Sequence, residues 1–229
     1  MCEQFIRTEL LYGKTAMERL SKARIAVFGI GGVGGYTVEA LVRSGVGAID
    51  LIDNDDVCLS NLNRQIIATH KTVGMSKTDA AEERILDINP NCKVTKHKTF
   101  FTPQNSGEFD FSLYDYIVDA IDTVSGKIEL VIKANEANIP IISSMGAGNK
   151  TNPALFEVAD IYKTSVCPLA RVMRKKMKDL GVKKYLVLWS DELPKTPEDG
   201  ERTPASISFV PPCAGIMIAG RVVRDIFGM

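Results

Sequence analysis

Four groups of residues have types and spacings suited to handling a nucleotide. Gly29, Gly31, Gly32 and Gly34 form the pattern G-x-G-G-x-G. Such glycines permit a tight turn and let backbone N–H groups approach an anion at a helix N-terminus. Asp53 lies about twenty residues further on, where a carboxylate accepts hydrogen bonds from ribose hydroxyls, and Asp55 stands beside it. Up to this point a dinucleotide and a nucleoside triphosphate explain the pattern equally well. Asn61, Arg64, Gln65 and Lys77 come next and favour the triphosphate. A carboxylate attacking phosphorus accumulates negative charge that cations must stabilise. Taken singly, Arg64 and Lys77 read as solvated surface cations; together with the glycine loop and Asp53 they read as phosphate ligands. Asp119 and Asp122 end a later apolar run. A carboxylate at a strand C-terminus points into the ligand crevice and suits Mg2+, which takes few protein carboxylates and keeps waters. The metal role falls to Asp122, and capping or structural duty to Asp119.

These residues need elements to hold them at one rim. Short apolar runs at residues 24–29, 48–53, 116–121 and 140–144 read as buried strands, and 94–101 as a weaker one. Between them, residues 33–44, 76–88 and 123–138 read as helices. Alternating strands and helices imply crossover units and a parallel sheet. Residues 3–20 have the spacing of an amphipathic helix with a break near Gly13. Beyond Gly148 the style changes: strands at 154–163 and 184–190, a basic helix at 167–180, an exposed loop at 193–203 and a last helix at 212–227. The expected fold is α/β, a doubly wound, mostly parallel Rossmann-like sheet with additional C-terminal strands and a helix. We read one adenylating domain over residues 1–229. Residues 1–150 form its nucleotide-binding part, and 151–229 a C-terminal extension carrying substrate and dimer contacts.

Composition narrows the partners. The chain has 229 residues, 45% hydrophobic and 24% charged, with 28 basic and 28 acidic side chains. Global charge therefore favours neither nucleic acid nor an acidic partner, and any nucleic-acid site must be a local patch. Arg171, Arg174, Lys175 and Lys178 supply such a patch, extended by Lys176, Lys183 and Lys184; a solvated charged face is the alternative. Tyr162 and Tyr185 are candidates for stacking on bases, with strand packing as the alternative. Cys2, Cys58, Cys92, Cys167 and Cys213 include no C-x-x-C pair, which argues against structural zinc and a disulfide framework and for a reducing cytoplasmic setting. Cys167 and Cys213, each beside proline, read as core residues rather than thioester nucleophiles. No segment reaches the roughly 20 apolar residues that a membrane helix needs.

In order, the Gly29–Gly34 pattern, Asp53-x-Asp55, the Asn61-x-x-Arg64-Gln65 run, Lys77 and Asp119-x-x-Asp122 resemble the ubiquitin-activating-enzyme-like superfamily of ThiF and MoeB type. The resemblance implies a role for each. Asp53 binds ribose, Asn61, Arg64 and Lys77 hold the phosphates, Gln65 lines the same wall and Asp122 binds Mg2+. Arg7, in the early Phe5-Ile6-Arg7 segment, reaches the phosphates of a neighbouring subunit, which implies a homodimer. Residues 144–149, 159–169 and 205–215 resemble the threonylcarbamoyladenosine dehydratase branch. That branch uses ATP to cyclise a modified adenosine in tRNA and acts with a sulfur-transfer system, a cysteine desulfurase, in some bacteria.

The expected chemistry is attack of the substrate carboxylate on the α-phosphate of ATP, loss of pyrophosphate, then intramolecular ring closure that expels AMP. Arg64, Lys77, Asp122 with Mg2+, and Arg7 in trans supply the charge. Two alternatives remain at this level. One is adenylation of a small ubiquitin-like sulfur-carrier protein at its C-terminus. The other is a NAD-dependent oxidoreductase, for which Arg64 and Lys77 have little use.

Overall fold

The computed structural model describes residues 3–195 and 204–229; Met1, Cys2 and the 196–203 part of the expected loop lie outside the described residues. Two strands set the centre. β1 (Arg24–Phe28) and β2 (Ala48–Ile52) bury every residue after the first. In β1, Ile25 and Val27 face one apolar cluster while Ala26 and Phe28 face another. Covered on both faces, these strands read as continuous apolar runs rather than as alternation.

β3 (Lys93–His97), β4 (Tyr116–Asp119), β5 (Ile141–Ser144), β6 (Phe156–Asp160) and β7 (Leu186–Ser190) complete one seven-stranded sheet, in the order β3-β2-β1-β4-β5-β7-β6. All neighbours are parallel except β6, which lies antiparallel on β7. The back third thus extends the same sheet. From β1 the chain winds outward to β2 and β3, then returns to the other side of β1 for β4. That reversal opens a crevice at the C-terminal ends of β1 and β4, where ligands bind in open α/β sheets.

Helices cover both faces. α2 (Lys14–Lys22), α3 (Gly34–Ser44), α4 (Lys77–Ile88) and α7 (Val210–Phe227) bury their apolar stripes in the first cluster. α5 (Val124–Ala137) and α6 (Pro168–Asp179) cover the other face. α3 and α7 cross closely because Gly215 carries no side chain: a Cβ there would lie 2.3 Å from the Val33 carbonyl oxygen. Thr37 Oγ1 then donates to the Gly215 carbonyl at 3.1 Å. α1 (Ile6–Tyr12) packs beside α2 after the break at Gly13, whose φ is +83°.

Several boundaries differ from expectation by a residue or more, and three of the differences have a visible cause. The strand expected over 94–101 stops at His97, since its partner β2 ends at Ile52 and pairing ends with it. The run at 154–163 is strand only from Phe156 to Asp160. Asn152 and Asp160 side chains accept from the Ala154 and Tyr162 N–H groups and turn the chain at either end. The last helix begins at Val210, two residues early, because Pro211 and Pro212 occupy the first turn, where no N–H is needed.

Candidate active site

The glycine loop leaves β1 at the crevice and is shaped by close approach. Gly29 has φ +87°, and a Cβ there would sit 2.7 Å from the Ala120 carbonyl oxygen. A Cβ on Gly34, the first residue of α3, would fall 1.8 Å from the Gly29 carbonyl oxygen. These two glycines are required by the backbone. Gly31 has room around it, the nearest side-chain atom being Gln65 Nε2 at 3.9 Å, and Gly32 lies against Pro211 and Arg64.

Asp53, following β2, braces this loop. One carboxylate oxygen accepts the Ile30 N–H at 2.7 Å and the other the Asp55 N–H at 2.9 Å. A carboxylate offers about four lone-pair sites, so capacity for ribose hydroxyls remains. Lys77 opens α4, whose N-cap Ser76 accepts from the Asp79 N–H. Its buried ammonium lies 2.6 Å from Asp55 and 3.7 Å from Asp53. Asp55, expected among the nucleotide ligands, also tethers Lys77, and its side chain is 58% exposed.

Arg64 and Gln65 form the facing wall. Asn61 ends a short 3-10 turn; its side-chain oxygen accepts the Cys58 N–H and its carbonyl accepts the Arg64 and Gln65 N–H groups. Asn61 therefore shapes the wall. The Arg64 guanidinium donates to the Ser60 carbonyl and to Asn63 Oδ1, both at 2.9 Å. Its stem lies 3.5 Å from where a Gly32 Cβ would be. Gln65 is only 6% exposed, and its Oε1 has no hydrogen-bond partner among the described residues. A buried polar atom left unpaired, on a side chain whose Nε2 stands beside Gly31, fits a site built for a ligand.

Asp122 is exposed and enters no hydrogen bond or ion pair among the described residues. No cluster of three metal-ligand side chains occurs among them. A free carboxylate at this rim fits Mg2+, which would draw its remaining ligands from phosphates and water. Asp119 is fully buried and paired with Lys127 at 3.0 Å. The sequence reading missed Lys127; its spacing from Leu130, Val131 and Ala134 on the buried stripe of α5 was the available signal.

The structure does not bring Arg7 to these residues. Phe5 packs toward Gly45, at the end of α3 remote from the loop, and Tyr12 meets Phe227 at 4.8 Å between ring centroids. Pro211, beside the glycine loop, stands at the opposite end of α7 from Phe227, about 24 Å away at roughly 1.5 Å per residue.

In the C-terminal part, Arg171, Lys175 and Lys178 lie exposed on α6 without ion pairs among the described residues, flanked by exposed Lys163, Lys176, Lys183 and Lys184. Two expectations change. Arg174 turns inward, donating to the Thr164 carbonyl at 2.6 Å and to the Thr164 hydroxyl. Tyr185 is buried, bonded to Ser143, and its hydroxyl pKa is raised by burial and by Asp119. It cannot stack on a base. Tyr162 is exposed, with its hydroxyl bonded to the Val182 carbonyl. Cys167 is buried, as expected of a core thiol, and Cys213 is half-buried.

Residues 4–229 match the ThiF family. The tRNA threonylcarbamoyladenosine dehydratase of Bacillus subtilis (strain 168) is 44% identical over 99% of this chain and 95% of its own length. The protein of the same name from Escherichia coli (strain K12) is 44% identical over 80% of this chain and 68% of its own. The crystal structure of E. coli tRNA N6-threonylcarbamoyladenosine dehydratase in complex with ATP superposes with a TM-score of 0.92 at 36% identity, covering 99% of this chain and 94% of that one.

Proposed function

The chain belongs to the ThiF family, and on that premise we propose that it is an ATP-dependent enzyme acting on threonylcarbamoyladenosine in tRNA. It adenylates the threonylcarbamoyl carboxylate and closes a ring with net loss of water. Similarity along nearly the whole length of a tRNA threonylcarbamoyladenosine dehydratase supports this reading, as does the fold shared with an ATP complex of such a protein. The observation that carries the chemistry is that two cationic side chains border one glycine loop, Arg64 by its stem and Lys77 by way of Asp53.

In this reading the loop N–H groups and the N-terminus of α3 hold phosphate oxygens, and Asp53 receives the ribose. A carboxylate oxygen of the substrate attacks the α-phosphorus, and the bond to pyrophosphate breaks. Lys77 and Arg64 stabilise the charge that builds on the phosphoryl oxygens. A nucleophile within the same threonylcarbamoyl group then attacks the activated carbonyl and displaces AMP, which keeps the carboxylate oxygen. Mg2+ held by Asp122 would neutralise phosphate charge when bound. Closure is intramolecular, so no enzyme nucleophile is needed; buried Cys167 agrees with that.

Arg7 lies too far from its own glycine loop to serve it, so it acts, in this proposal, in the site of a second copy within a homodimer. The exposed lysines and Arg171 on and around α6 would meet tRNA phosphates. A cysteine desulfurase remains part of the proposal as a partner; Cys58 is the exposed thiol among the described residues. A cytoplasmic setting suits both tRNA and the free cysteines. No helix among the described residues is long and apolar enough to cross a membrane.

The test supplies ATP, Mg2+ and tRNA carrying threonylcarbamoyladenosine labelled with 18O in the carboxylate. Mass spectrometry should find a nucleoside lighter by one water and one labelled oxygen in AMP. Pyrophosphate exchange that depends instead on a protein ending in Gly-Gly would move the assignment to sulfur-carrier adenylation.

A further inference from the structure

The only fully buried ion pair among the described residues lies directly behind the proposed site. Lys127 and Asp119 both have side chains at 0% exposure. The Lys127 ammonium donates to Asp119 Oδ1 at 3.0 Å and to the Ser144 carbonyl at 2.8 Å. Asp119 Oδ1 also accepts the Ile121 N–H at 3.3 Å, and Oδ2 accepts the Ser143 hydroxyl at 2.5 Å. Ser143 in turn accepts from Tyr185.

Stability does not explain such a pair. Taking two charges from water costs several kcal/mol per ion, and apolar side chains of similar volume are often as stable or more so. Nor does the pair add net positive charge to the phosphate site. Its location is more telling. Asp119 is the last residue of β4 and Ser144 the last of β5, adjacent parallel strands. From these points the chain leaves the sheet as the 120–122 turn, ending at Asp122, and as the 145–149 segment. The turn is gripped on two sides: Gly29 lies on the Ala120 carbonyl, and a Cβ on Gly126 would come within 2.7 Å of Ile121.

We infer that Lys127 is a positioning residue: its ammonium ties the base of the Asp122 segment to the start of the 145–149 segment and fixes how the two leave the C-terminal rim of the sheet beside the site. This inference rests on the adenylation reading for its kinetic consequence, but not for its structural one.

The test compares wild type, Lys127→Met and the double variant Asp119→Leu/Lys127→Met. The single variant strands a buried carboxylate and serves only if it folds; the double variant removes both charges. The double variant should fold with a Tm lowered by a few degrees, because the Ile121 N–H and the Ser143 hydroxyl lose their acceptor, keep its ATP KM, lose about 10²-fold in kcat, and show faster hydrogen exchange at the 145–149 amides. Unchanged kcat with unchanged exchange overturns the inference. So does a raised ATP KM at constant kcat, or a double variant that does not fold, which would assign the pair to stability. If wild type fails to dehydrate the tRNA, the adenylation reading falls, and exchange at the named amides alone decides for or against the brace.

Discussion

Replacing Lys77 by Met separates two roles that the structure gives one ammonium. In the free protein it neutralises acidic neighbours, 2.6 Å from Asp55 and 3.7 Å from Asp53. In the proposed reaction it stabilises charge on the phosphoryl oxygens. The stability cost should be small. Asp55 is more than half exposed, and an ion pair to such a group is worth about 0–1 kcal/mol. Asp53 keeps its bonds from the Ile30 and Asp55 N–H groups. A loss near 1 kcal/mol lowers Tm by about 2–4 °C in a chain of this size. The catalytic cost should be large, because one preorganised charged donor in a water-poor site is worth about 10²–10³ in kcat, or roughly 3–4 kcal/mol. Calorimetry gives Tm, and mass-spectrometric turnover of threonylcarbamoyladenosine tRNA gives kcat and the ATP KM. If Lys77→Met keeps kcat within about ten-fold of wild type while folded, the ammonium serves only Asp53 and Asp55, and the catalytic argument fails.

Three further outcomes follow from the same geometry. Gly34→Ala should abolish ATP binding by calorimetry and lower Tm, since a Cβ 1.8 Å from the Gly29 carbonyl displaces the loop and overpacking costs about 1–3 kcal/mol or more. Burial works against ionisation of Asp50, but hydrogen bonds from His97 and Arg24 outweigh it, so its pKa lies below the ordinary carboxylate value. A depressed folded-state pKa contributes stability above the unfolded value, lost as pH falls through the folded one. Asp50→Asn should therefore flatten the loss of stability below about pH 4, read by urea unfolding across pH. Lys175→Gln with Lys178→Gln should weaken tRNA binding and reduce the slope of log K against log salt by about 1–2; an unchanged slope would remove this face of α6 from the interface.

The strands and the glycine loop were legible because their signals are local. Ile25 to Phe28 and Ile49 to Ile52 are continuous apolar runs, and a strand buried on both faces has no other composition open to it. The loop pattern was equally legible, since Gly29 and Gly34 answer backbone contacts within their own turn or against the adjoining strand end. Boundaries were less so: β3 ends where β2 stops offering partners, a fact held by another segment.

By itself, then, the order of residues determined a doubly wound sheet, a phosphate-binding turn at its switch point and a set of cations and carboxylates on that rim. Only the tertiary structure decided how those charges divide. It bound Lys77 to Asp55, buried Lys127 on Asp119, turned Arg174 inward onto Thr164 and put Arg7 at the far end of α7. Periodicity records which face of an element is covered. It carries no record of which charge from a distant segment comes within bonding distance, and electrostatic pairing depends on that separation through space.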